Sequence, residues 1–120
     1  MNIEVIRGML NNKSVTSDFA LSGVQALKMI KDRLLNSKLP QYKIIILDQN
    51  MPGMDGATVS LEVQKAYRAF GTAKPFIFCC TAFYSQDFAN STKASEIDSF
   101  LSKPLTKAGV ERIIHRLDQN

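Results

Sequence analysis

The stretch Ile44 to Gly56, Ile-Ile-Ile-Leu-Asp-Gln-Asn-Met-Pro-Gly-Met-Asp-Gly, constrains this chain more than any other. Four apolar residues in a row, bounded by turn signals, read as a strand buried on both faces. The run stops at a carboxylate, Asp48, and a loop carrying Pro52, Gly53 and Gly56 follows. Open α/β sheets place their chemistry at the carboxyl ends of their strands. Asp48 therefore reads as a reactive group held rigidly from behind.

Two further apolar runs end in the same manner. Phe76 to Cys80 runs into Thr81-Ala82, and Phe100-Leu101 runs into Ser102-Lys103-Pro104. Between the runs lie helical patterns. Val24, Leu27, Ile30 and Leu34 form a core-facing stripe, with Ser22 as its cap and Lys28, Lys31 and Asp32 outside. Val59, Val63, Ala66, Tyr67 and Phe70 form a second stripe, stopped by Gly71. A weaker, polar helix spans Gln86 to about Ser95. Thr106 caps a last one carrying Val110, Ile113, Ile114 and Leu117. Near the N-terminus, Ile3, Ile6, Met9 and Leu10 give a short helical stripe, and Val15 to Phe19 a short edge-like strand. Strands alternating with helices over one domain length predict an α/β fold, a doubly wound parallel sheet of flavodoxin-like order.

In such a sheet Asp48, Thr81 and Lys103 come to one edge although 33 and 22 residues separate them in sequence. A carboxylate, a hydroxyl and an ammonium together suit phosphoryl transfer. Asp48 can attack phosphorus, Lys103 offers a compact charge to the phosphoryl oxygens, and Thr81 can donate a hydrogen bond to them. The remaining charge calls for Mg²⁺. Asp55 reads as a helix-start residue. His115, between Arg112 and Arg116 on the last helix, reads as a surface residue rather than a phosphodonor.

Composition excludes several classes. With 45% hydrophobic and 22% charged residues the chain is ordinary globular material. The net charge of +4 is unclustered and does not suggest a nucleic-acid arm. No apolar run reaches the roughly 18 residues of a membrane span, and there is no signal peptide. The expected location is the cytoplasm. Cys79 and Cys80, adjacent on a strand, point to opposite faces and read as small core residues rather than a disulfide or metal pair.

The stretch around Asp48 resembles the phosphoacceptor signature of response-regulator receiver domains from two-component and phosphorelay signalling. Asp48, Met51, Pro52, Met54, Asp55 and Gly56 match it at the family spacing, and Thr81-Ala82 and Lys103-Pro104 match in type and order. The resemblance implies phosphorylation of Asp48 by a partner histidine kinase or histidine phosphotransfer protein. It also implies a conformational switch through Thr81 and Phe100 that alters the surface of the last strand and the helices beside it. Mg²⁺ is implied at Asp48 and the backbone carbonyl of Asn50. One family feature has no counterpart: a first strand ending in an acidic pair. The expectation is therefore an N-terminally incomplete receiver domain over residues 1–120, as in a hybrid histidine kinase, in which case it would lie in the cytoplasmic part of a larger membrane kinase. Survival of Asp48, Thr81 and Lys103 argues for truncation over decay. The alternative is a pseudo-receiver that docks proteins without being phosphorylated. A flavin binder is disfavoured by the lack of a Ser/Thr/Gly-rich phosphate loop. Glu96 stands where the family commonly has Gly before its last strand.

Overall fold

Among the described residues, four helices and three strands follow from local signals that a computed structural model bears out. It describes residues 18, 20, 22–36, 38, 41–49, 54–82, 85–92 and 95–118. Helix α1 spans Gly23–Leu35, opened by the Ser22 hydroxyl, which accepts from the Gln25 N–H at 3.1 Å. Strand β1 is Ile44–Asp48. Helix α2, Gly56–Phe70, ends at Gly71, whose φ of 63° is the left-handed conformation that glycine adopts without a Cβ penalty. Strand β2 is Phe76–Thr81, helix α3 Gln86–Ser91, strand β3 Ser99–Ser102 and helix α4 Lys107–Asp118. The N-terminal helix expected over Ile3–Leu10 and the strand expected over Val15–Phe19 lie outside the described residues, as does the question of a preceding strand.

The described strands form one parallel sheet in the order β1–β2–β3. Period-two alternation sorts their side chains. Ile45, Leu47 and Ile77 face α1 and α2, packing with Leu27, Ile30, Leu34, Val59, Val63 and Tyr67. Ile44, Ile46, Phe76, Phe78 and Cys80 face α4 and meet Leu101, Leu105 and Ile113. Helices thus cover both faces, as a doubly wound fold requires.

Two helix-stripe assignments are corrected. Val24 is 69% exposed and Phe70 45% exposed. Each sits at one end of its helix, where the periodic stripe overruns the sheet edge. The buried positions that the two stripes leave out are Gly23 on α1 and Ser60 and Gln64 on α2. At Gly23 an added Cβ would lie 2.7 Å from Val59 Cγ2 and 2.9 Å from Met54 Cβ, so the glycine is what lets α1 approach α2. Helix α3 is shorter than its sequence pattern suggests. The Thr92 hydroxyl donates to the Phe88 carbonyl at 3.0 Å and caps the helix there.

Ser60 and Gln64 are 0% and 1% exposed and polar, so each needs a partner. They find it in the loop before β3: Ser60 Oγ donates to the Ser95 carbonyl at 2.5 Å, Gln64 Nε2 to the Glu96 carbonyl at 3.5 Å. Glu96 takes φ 58°, the left-handed region. Its carboxylate pairs with Arg68 at 2.8 Å and Lys74 at 3.6 Å. A non-glycine residue there costs about 1–2 kcal/mol. Two exposed ion pairs recover about 0–1 kcal/mol each. Glu96→Gly is therefore expected to change stability by less than about 1 kcal/mol in dilute buffer. Because salt screens only the glutamate form, the balance should move toward glycine in about 1 M NaCl. Urea denaturation at both salt levels reads this; a difference that does not move with salt would remove the ion pairs from the account.

Candidate functional site

Parallel pairing brings the three strand ends together. Asp48 stands opposite Cys80, and Thr81 opposite Ser102, with adjacent strands about 4.8 Å apart. Past the paired residues, the Lys103 N–H donates to the Thr81 carbonyl at 3.0 Å. This carries the ladder one residue further and aims the lysine back across the sheet edge. Its Nζ forms an ion pair with Asp48 Oδ1. The side chains are 17% and 21% exposed, so the pair is sheltered yet reachable from solvent. The Lys103–Pro104 peptide is cis. Thr81 is buried at the end of β2. The structure thus brings together Asp48, Thr81 and Lys103, the three residues picked out at the strand ends.

Phe100 is half-buried, on the strand that leads to Lys103. Its ring meets Phe88 of α3 edge-on, with centroids 5.6 Å apart. Its carbonyl accepts from Arg112 of α4 at 2.9 Å. Phe100 therefore joins three elements, β3, α3 and α4. Asn50 lies outside the described residues. His115 is exposed near the end of α4, as expected of a surface residue.

The start of α2 closes the other side of the site. Asp55 caps it, its carboxylate accepting from the Thr58 N–H at 2.8 Å and its carbonyl from Val59 at 3.1 Å. Gly56 donates to the Gln49 carbonyl at 3.3 Å, and Ala57 to Gln49 Oε1 at 3.2 Å. Three of the N–H groups that a helix start leaves open, those of Gly56, Ala57 and Thr58, are therefore taken within the chain, and the Val59 bond is the first of the regular helix. Gly56 is needed for contact: a Cβ there would lie 3.1 Å from the Asp48 carbonyl oxygen, 3.2 Å from Cys79 Sγ and 3.2 Å from Gln49 Cα. Gln49, one of the two variable positions after Asp48, was not marked by any periodicity or motif. Its partners become visible only once α2 is folded back.

Cys79 and Cys80 are fully buried and unbridged, as the alternation predicts. Burial pushes their thiols up to about 12 and about 11, with Cys80 and Asp48 the largest further causes for Cys79 and Asp48 for Cys80. They are inert packing groups at neutral pH. For Mg²⁺, the described residues offer one carboxylate at the site, already paired with Lys103. No group of three or more His, Cys, Asp or Glu able to hold a metal occurs among the described residues. One carboxylate is the minimum for the ion, since such sites draw on one or two carboxylates together with phosphate oxygens and water. No described helix is long and apolar enough to cross a membrane.

With this geometry in hand, the comparisons identify the family. The family model "Response regulator receiver domain" matches residues 1–115, and the chain belongs to that family. It is 30% identical over its full length to hybrid signal transduction histidine kinase L of Dictyostelium discoideum. It is 30% identical over 95% of its length to the osmosensing histidine protein kinase SLN1 of Saccharomyces cerevisiae. The chain spans only 7% and 9% of those two proteins. Among solved structures, the receiver domain of the histidine kinase CKI1 from Arabidopsis thaliana complexed with Mg²⁺ superposes with a TM-score of 0.75. It is 29% identical, over 92% of this chain and 82% of that one. A two-component response regulator from Legionella pneumophila gives 0.74 at 26% identity, over 97% and 88%. The chain is thus a receiver domain of two-component signalling with a flavodoxin-like fold, homologous to receivers of hybrid histidine kinases.

Proposed function

We propose that this receiver accepts a phosphoryl group on Asp48 from a phosphohistidine of a histidine kinase or phosphotransfer protein. The observation that carries this reading is the Asp48–Lys103 ion pair at the edge where Thr81 also ends its strand. An Asp48 carboxylate oxygen attacks phosphorus and forms the acyl-phosphate O–P bond. The N–P bond to the partner's imidazole breaks, and the imidazole keeps the electron pair and takes a proton from solvent. Lys103 then moves its charge from the carboxylate to the new phosphoryl oxygens. Thr81 donates to one of those oxygens. Phe100 follows the space that Thr81 leaves, and its contacts to Phe88 and Arg112 carry the change to α3 and α4. Mg²⁺, when bound, neutralises phosphoryl charge, and Asp48 with the Asn50 carbonyl would hold it.

The test is the intact mass of the purified chain after incubation with phosphoramidate and Mg²⁺. One phosphoryl adduct is expected on the wild type and none on Asp48→Asn. A folded wild-type chain that stays unmodified would replace this reading by the second one, a pseudo-receiver that serves as a docking surface. The single described carboxylate at the site is what favours that second reading.

A further inference from the structure

Gln49 makes more connections than a variable loop position requires. Its N–H donates to the Cys80 carbonyl at 3.0 Å, and its carbonyl accepts from Gly56. Its side-chain Oε1 accepts from the Ala57 N–H at 3.2 Å and lies 3.6 Å from Cys79 Sγ, a thiol held protonated by burial. Both neighbours of Oε1 are donors, which fixes the orientation of the amide. One residue thus joins the end of β1, the end of β2 and the first turn of α2.

We propose, resting on the phosphoacceptor reading above, that Gln49 is a positioning residue for Asp48: its side chain holds the start of α2 against the carboxyl end of β1. The contact it enforces is tight. The Gly56 Cα carries no substituent, and a Cβ there would reach the Asp48 carbonyl oxygen at 3.1 Å. The Asp48 backbone therefore rests directly on the helix start. The helix cannot drift outward while Oε1 holds Ala57, and so the carboxylate keeps its place beside Lys103. The same bond consumes an N–H that would otherwise compete with Lys103 for phosphoryl oxygen. Gln49 touches neither the phosphorus nor the donor; it acts through Asp48.

Gln49→Met keeps the length of the side chain and removes the acceptor. Gln49→Glu keeps an acceptor at the same place. Phosphoramidate labelling of the whole chain is followed by mass, as a limiting rate and as a half-saturating donor concentration, beside amide hydrogen exchange at Ala57. Gln49→Met is expected to lower the limiting rate about tenfold, because small misplacements of a reacting group cost that much or more. Its half-saturating concentration should stay within about twofold, since Lys103 and Thr81 are untouched. Exchange at Ala57 should speed up, and Gln49→Glu should restore both the rate and the protection. Equal limiting rates in wild type and Gln49→Met would overturn the positioning role while leaving Asp48 as the acceptor. A parallel loss in Gln49→Met and Gln49→Glu would overturn it too, assigning the effect to packing. A wild type that takes no label would overturn the acceptor reading and the positioning role with it; Ala57 exchange would then show whether the clamp exists as structure alone.

Discussion

Lys103→Met is expected to slow phosphorylation of Asp48 by about 10²–10³-fold, the usual loss when one preorganised charge is removed from a reacting oxyanion. The effect is large because, among the described residues, the donors of the first turn of α2 are already spent. The open N–H groups of Gly56, Ala57 and Thr58 are taken by Gln49 and Asp55, so the first turn of α2 adds no donor to the phosphoryl oxygens. Among the described residues Lys103 is the cation paired with Asp48. Lys103→Arg keeps the charge, but its broad planar head is not a point charge, so only partial recovery is expected. Stability should fall by about 1–2 kcal/mol in Lys103→Met, less than for a fully buried pair, because Asp48 retains some solvent contact. The measurement is the initial rate of mass labelling, with a urea melt of each variant to show that it is folded. A Lys103→Met rate within threefold of wild type would mean that the phosphoryl charge is carried elsewhere.

Gly56→Val should cost about 3 kcal/mol and slow labelling as well. Two effects oppose each other. Replacing glycine in a helix gains up to about 1 kcal/mol of propensity, less for a β-branched residue. Against this, a Cβ would press on the Asp48 carbonyl oxygen and Gln49 Cα, both backbone atoms, and on buried Cys79 Sγ. Neither backbone atom can yield without disturbing β1, whose residues are hydrogen-bonded to β2. Overpacking of this kind costs about 1–3 kcal/mol, and the two extra methyl groups place valine at the upper end. A thermal melt should show a drop of about 10 °C. Gly56→Ala should fall between wild type and valine in both stability and rate. A stable Gly56→Val with unchanged labelling would show that α2 can move away from Asp48 without consequence.

The site was easier to read in the sequence than the packing beneath it. Asp48 and Lys103 each end an apolar run, and parallel strands bring such ends together whatever lies between them. Caps were legible for the same local reason: Ser22, Asp55 and Thr106 each accept from a backbone N–H three residues on. Val24 and Phe70 were misplaced because a helical period fixes a direction, not the point at which the sheet runs out. Ser60 and Gln64 were passed over because a buried polar side chain can be recognised only with its partner. Theirs are carbonyls 35 and 32 residues away. Gln49 had no pattern at all, since all four of its bonds reach to other elements.

The ties between α2 and the loop before β3 limit how this sequence can drift. If Ser60 became apolar, the Ser95 carbonyl would lose its donor. If Gln64 changed, the Glu96 carbonyl would lose its own. An orphaned acceptor costs more than the bond contributed, so replacing either donor is penalised whatever residue stands at 95 or 96. Arg68 extends the row to the Glu96 carboxylate from the same side of the helix. Ser60 and Gln64 are held by carbonyls that any residue at 95 or 96 supplies, whereas Arg68 and Glu96 are coupled through their side chains. The glutamate at 96 is thus open to replacement along a lineage together with Arg68 and Lys74, while the donors at 60 and 64 stay fixed by the backbone they hold.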